Sequence, residues 1–159
     1  MLFEASYCHK HYKQQYMTEC ICMGCHSTFD QVCEQALKSD CKKVGCVGQL
    51  VQRNRLNVDC PSPLIHIGTI ASASSVMKSG QHRDQLAEHE GVIGFEMEGA
   101  GVWDILPCVI IKGVCDYADS HKNKAWQNYA AATAACCAKT FLVYWEDNSQ
   151  HQQRKFSSC

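Results

Sequence analysis

The stretch GVIGFEMEGAGVWDILPCVIIKGVCDYAD, residues 91–119, decides the fold class. It holds two short apolar runs. Val92-Ile93-Gly94-Phe95 stops at Glu96-Met97-Glu98, and Cys108 to Val114 stops at Cys115-Asp116. Short runs rich in β-branched residues and bounded by glycine or proline read as buried parallel strands. In open α/β sheets the ligand lies beyond the carboxyl ends of such strands, and Glu98 and Asp116 stand there. Two carboxylates at neighbouring strand ends point to a small-molecule site.

Working outward, Leu64 to Ala71 (LIHIGTIA) reads as a third strand, followed by the small polar loop Ser72-Ala73-Ser74-Ser75. Such a loop can bring backbone N–H groups to a ligand, but spacing alone favours a plain turn. His82 to His89 reads as a polar, exposed helix stopped by Gly91. Glu98-Gly-Ala-Gly-Val-Trp-Asp is rich in small residues, as expected of a helix packed closely under a site, and Pro107 ends it. Cys115 to Gln127 is a polar loop holding Asp116, Asp119, Ser120, His121 and Lys122. Asn128 suits the N-cap of an alanine-rich helix from Tyr129 to about Trp145. The tail from Asp147 to Cys159 is polar and expected to fray. Strands alternating with helices mean α/β with a largely parallel sheet.

The bulk properties set bounds. A chain of 159 residues, 46% hydrophobic and 19% charged, fits one soluble globular domain. A formal net charge of −1 argues for neither nucleic acid nor an anionic membrane as partner. No apolar run approaches the roughly 20 residues that span a bilayer, and MLFEASYCHKHYKQQY at the start is too polar for a signal peptide. Of the 13 cysteines, eight lie within residues 1–60. Without a secretory signal they read as reduced thiols or metal ligands in an intracellular, cytoplasmic protein, and an odd count speaks against full pairing.

Within that cysteine-rich part, residues 12–60 show no sustained periodicity and read as an insert or irregular segment. Leu2-Phe3 can enter a core. Glu34 to Lys43 can form a short helix, with Lys42 and Lys43 toward its carboxyl end and Gly45 beyond. Cys20-x-Cys22-x-x-Cys25-His26 is the one local ligand-like cluster. Tetrahedral zinc takes four thiolate or imidazole ligands, and the Cys22–Cys25 spacing is of the knuckle type. No second pair at matching spacing accompanies it, so a cysteine-rich loop without metal is the competing reading.

Phe95-Glu96-Met97-Glu98-Gly99-Ala100, followed by a strand into Lys112-Gly113-Val114-Cys115-Asp116, resembles the nucleoside phosphorylase and nucleosidase superfamily. Its signature is a V-E-M-E-A-A-like run and then R-x-I-S-D. Gly68-Thr-Ile-Ala-Ser72 resembles the G-x-I-x-S strand end that precedes both. The wording around Asp116 to Asn123 is most similar to a fungal branch in which this domain is fused to ankyrin, tetratricopeptide or NTPase modules. The resemblance covers Pro61 to Tyr144, and more thinly Leu2 to His11, where Phe3…Tyr7-x-His9 looks like a strand-exit loop of that branch. It implies a three-layer α/β/α fold with a central, mostly parallel or mixed sheet. Residues 1–145 would be the C-terminal part of the domain, truncated at its N-terminal side, and 146–159 a polar tail.

The resemblance also implies roles. Glu98 would hydrogen-bond the ribose hydroxyls of a purine nucleoside, and Met97 would pack under the sugar. Asp116 would hold or protonate the purine N7. Val76 and Met77 would lie in the base-contacting loop. Glu96 and Ser72 belong to the same binding motifs, and Lys112 stands where the family has arginine, keeping the charge without the bidentate fork. The chemistry suits these groups: breaking an N-glycosidic bond builds positive charge on the sugar and negative charge on the base. An aspartate serves as the acid only when burial or a neighbouring carboxylate raises its pKa. Without the resemblance, a glutamate opening a helix is as readily a cap, and an aspartate after a strand a turn residue.

Two further expectations complete the reading. The family's glycine-rich phosphate-binding strand end and its nucleophile-activating residue find no counterpart before residue 60. N-glycosidic cleavage, with phosphate as a potential co-substrate or with water, is therefore expected of a fuller relative and not of residues 1–159. The alternative is a non-catalytic nucleoside-sensing or signalling module of a fungal multidomain protein. Homo-oligomers occur in the family, but nothing here marks an interface.

Overall fold

The structure, a computed structural model, describes residues 1–13, 20–53 and 62–156. Cys60, Pro61 at the edge of the resembling stretch, and the last three residues of the expected tail lie outside them. The chain divides into two compact units: Met1–Pro107 with Asp116–Asn123, and Cys108–Cys115 with Lys124–Cys159.

The first unit is built on a βαβ turn. Strand β1 (Thr69–Ser72) and strand β2 (Val92–Glu96) pair in parallel, with Ser72 opposite Glu96 at their carboxyl ends. The longest helix of this unit among the described residues, Gly80–Glu90, joins the two strands. Ser79 caps it by accepting a hydrogen bond from the Gly80–Glu90 helix at His82 N, 3.2 Å away. Gly91 closes it in the left-handed conformation at φ 64°, as its place after the polar run leads one to expect. Gly80 sits where a Cβ would come 2.8 Å from the Ala5 carbonyl oxygen, so glycine permits the helix to start against the N-terminal segment.

Two sequence expectations are corrected in this unit. Leu64 to Gly68 is not strand: pairing begins only at Thr69, and Ile65 and Ile67 are exposed. Glu98 to Asp104 is not an α-helix but a 3-10 turn over Gly99–Gly101, followed by further turns. Two glycines in three residues carry a large entropic cost in a helix and offer no side chain to bury.

The N-terminal segment packs around thiols rather than large apolar side chains. Phe3 bridges Leu50 in an antiparallel contact, and Val51 N donates to Leu2 O at 2.9 Å. Phe3 enters a core as expected, at 3% exposure. The expected helix from Glu34 to Lys43 is two separate single turns, α1 (Glu34–Leu37) and α2 (Cys41–Val44). Cys33 caps the first; the Asp40 side chain accepts from Lys43 N and caps the second, which is why the helix breaks there. Gly45 ends α2 with φ 88°. With the two single turns labelled, the βαβ helix Gly80–Glu90 is α3. The buried centre is Cys22, Ala36 and Val44, with Cys20, Val32, Cys33 and Cys46 against it.

In the second unit, Cys108 to Val114 carries no strand among the described residues, against the sequence expectation. An extended run becomes a strand only when a neighbour takes its N–H and C=O groups, and the two-stranded sheet here is β1–β2. Gly113 is in close contact with helix α4 (Gln127–Phe156): a Cβ there would fall 2.0 Å from the Ala130 carbonyl oxygen. Asn128 therefore lies inside α4, not at its cap. The backbone stays helical to Phe156, well past the expected end near Trp145. Glutamate, glutamine, arginine and lysine, all good helix formers, carry it on. Among the described residues no helix is long and apolar enough to cross a membrane.

Candidate functional site

The carboxyl edge of β1 and β2 gathers several of the expected site residues. Glu96 is buried at the end of β2, and its carboxylate accepts hydrogen bonds from Glu98 N and Gly99 N, both at 2.7 Å. Ser72 Oγ, at the end of β1, accepts from Ala100 N at 2.8 Å. The nearby Ser72 hydroxyl and those two N–H groups hold the Glu96 carboxyl below the usual glutamate range. Glu96 and Ser72 thus fix the 3-10 turn. Glu98 and Met97 are exposed beside it, and Val76 is exposed while Met77 is half-buried on the loop before α3. Trp103 and Trp126 are surface residues, and His66 is exposed.

Asp116 opens a tightly tied loop, residues 116–123. Its carboxylate accepts from Ala118 N at 2.8 Å and pairs with Lys122 Nζ at 3.0 Å. Ala118 takes a positive φ of 53°, which the Asp116 turn supports. Tyr117 O accepts from Arg83 of α3 at 2.7 Å, and Arg53 donates to the Tyr117 hydroxyl. Asp119 is buried, which pushes its carboxyl up, and accepts from His121 N at 2.9 Å. His121 is buried with its ring tilted against Phe3 (4.3 Å between centroids) and stacked on Tyr7 (5.4 Å). Burial first, and then the neighbouring His9, lower its pKa to about 4, so its imidazole is neutral at physiological pH. Lys112 belongs to the second unit and is exposed.

The thiols form two clusters of potential ligands. In the first, His11, Cys20, Cys22 and Cys33 present one donor atom each, all within 4.8 Å of one another. His11 Nδ1 lies 3.4 Å from Cys20 Sγ and 3.5 Å from Cys33 Sγ. Cys33 N and Ala36 N point at the sulfurs of Cys22 and Cys33 at 3.5 and 3.4 Å. Burial acts to raise the Cys22 thiol, but backbone N–H groups of His11 and Cys33 outweigh it and lower its pKa. In the second, His9, Cys41 and Cys46 meet the same 4.8 Å criterion. Both sets can hold a metal ion.

The expected cluster Cys20-Cys22-Cys25-His26 is therefore corrected. Cys20 and Cys22 join a ligand set, but with His11 and Cys33. Cys25 turns instead to Cys8, 3.3 Å away sulfur to sulfur, and burial pushes the Cys8 thiol up to about 12. His26 is exposed, its N–H given to Asp30 at 2.7 Å. The missed histidine partners, His9 and His11, stand in Cys8-His9-Lys10-His11. In an extended segment residues two apart share a face, so a Cys-His-x-His run beside cysteine-dense sequence was the available signal.

No family model matches the chain, and no solved structure matches it. The chain is similar to a "Nucleotide-binding leucine-rich repeat (NLR)-like protein" of the fungus Hyaloscypha variabilis, 53% identical over 81 residues. The match spans 51% of this chain and 8% of that protein, so the chain covers a small part of its relative. This overturns the reading of nucleoside cleavage, whether as phosphorylase, nucleosidase or other glycosyltransferase. The relative is named as an NLR-like protein and not as an enzyme of that kind. In the loop, the intended acid, Asp116, accepts from Ala118 N and pairs with Lys122, so it holds its own turn.

Proposed function

We propose that this chain is a non-catalytic, nucleoside-sensing signalling module of a fungal multidomain protein. The observation that carries the reading is the 53% identity over 81 residues with 8% of an NLR-like protein. An 81-residue match that occupies so little of its relative fits a module within a much longer chain. In this reading the parallel β1–α3–β2 unit, with Ser72 and Glu96 in register, is part of a three-layer α/β/α domain.

In this reading a purine nucleoside is the ligand. Exposed Glu98 takes the ribose hydroxyls, Met97 lies under the sugar, and Val76 and Met77 flank the base. Asp116, held by Lys122 and Ala118 N, offers its carboxylate to the base in a fixed position. The His11–Cys20–Cys22–Cys33 set is a structural zinc position, closed by four ligands and lacking an open one. Zinc bound there would tie residues 11–33 where large apolar side chains are few. Reduced thiols at these positions fit an intracellular setting.

Equilibrium dialysis of the purified chain with inosine and adenosine tests the ligand. Binding that falls about tenfold in Glu98→Ala is expected, the loss of one charged hydrogen-bonding group (~1.4 kcal/mol). Equal binding by the wild type and Glu98→Ala, or none by the wild type, would overturn it.

A further inference from the structure

We propose that His9, Cys41 and Cys46 form a second zinc-type position, and that its imidazole ligand also fixes the loop carrying Asp116. The second half rests on the nucleoside-sensing reading only for the loop's purpose; the metal site stands without it.

The geometry is that of a coordination polyhedron. With zinc–sulfur and zinc–nitrogen bonds of about 2.3 and 2.05 Å, adjacent nitrogen and sulfur ligands of a tetrahedron lie about 3.6 Å apart. His9 Nδ1 lies 3.7 Å from Cys41 Sγ and 3.5 Å from Cys46 Sγ. The first cluster shows the same edges, 3.4 and 3.5 Å, about His11 Nδ1. The ring of His9 is set for ligation by its other nitrogen. Nε2 lies 3.0 Å from both Ala36 O and Ser39 O, which makes it the protonated nitrogen and leaves the Nδ1 lone pair facing the sulfurs. A carbonyl on the far imidazole nitrogen is the orienting contact that metal-bound histidines use. Cys41 opens α2 and Cys46 follows its left-handed Gly45 cap, so one helical turn and one glycine bring the two thiols to the same imidazole. Three protein ligands leave one coordination position among the described residues for water or an added donor.

His9 does not end at the metal. Its backbone N–H donates to Ser120 Oγ at 3.0 Å, and its ring meets His121 edge-on at 5.4 Å. Both partners lie in the 116–123 loop, which Tyr7 and Phe3 clamp from the same segment. Locking His9 on a cation therefore locks the far side of the loop from Asp116. Removing the cation takes one restraint from an imidazole that the loop is packed against.

The test is metal content per chain, by elemental analysis of wild type, Cys33→Ser and Cys41→Ser after purification with zinc and exhaustive dialysis. Two equivalents are expected in the wild type and one in each variant. Cobalt(II) substitution should give tetrahedral thiolate bands from both positions. Adding the second equivalent should shift the His121 ring proton resonances; in Cys41→Ser that second shift should be absent. Should Cys41→Ser fail to fold, Cys41→His decides, because it keeps a ligand: two equivalents in a folded chain support the site, and one overturns it. Two equivalents retained in the Cys41→Ser/Cys46→Ser double variant, or a wild type holding one that Cys33→Ser removes, would overturn the second position. Binding of the second equivalent with unmoved His121 resonances would overturn the link to the loop. Nucleoside affinity enters none of these readouts, so failure here and failure of the ligand reading are separable.

Discussion

Glu96 and Glu98 sit two residues apart and do different work. Glu96 turns inward and satisfies two N–H groups of the following turn, whereas Glu98 stays exposed. Replacing Glu96 by alanine leaves those donors without their acceptor, with an expected loss of roughly 1–2 kcal/mol in chemical denaturation. The sign of its pH dependence follows from its lowered pKa. A carboxyl whose folded pKa lies below its unfolded value stabilises fully above the unfolded value, and the stabilisation is lost as pH falls through the folded one. Midpoints measured from neutral pH downward should therefore fall more steeply in the wild type than in Glu96→Gln. Gly48 offers a second residue-scale check. A Cβ there would come 2.5 Å from the Tyr7 ring, so Gly48→Ala should displace Tyr7 and weaken its stacking on His121, visible in aromatic chemical shifts.

At the scale of elements, end signals were legible and pairing was not. Gly91 and Gly45, read from sequence as stops, take φ of 64° and 88° as helix caps. A Cβ on Gly91 would meet nothing within 4 Å, so Gly91→Ala should cost only its backbone term, about 1 kcal/mol by thermal or urea unfolding. The run Cys108 to Val114, with the strongest strand composition in the chain, joins no sheet among the described residues. Composition reports a preference for extended backbone, while a strand also needs a neighbour, and no local pattern contains that neighbour. The Glu34–Lys43 reading failed more locally: Cys33 and Asp40 each cap their own turn, a choice that periodicity does not see.

On the scale of the molecule, the candidate site was half legible. Ser72, Glu96, Met97 and Glu98 do gather at one strand edge, because motif order follows strand order in a parallel unit. The metal positions were not, since His11 and Cys33 reach Cys20 and Cys22 through space rather than spacing. The N-terminal segment has thiols where a domain core would have leucines, so its order should depend on metal. Chelation should therefore expose Cys22 to alkylation, a thiol 2% exposed in the folded chain, and zinc should restore its protection.

The most direct measurement follows both nucleoside and free base when the purified chain is incubated with inosine, with and without phosphate. A sensing module should retain bound inosine and return it intact, with no hypoxanthine formed under either condition. Hypoxanthine released by the wild type and abolished by Asp116→Asn would contradict the non-catalytic role.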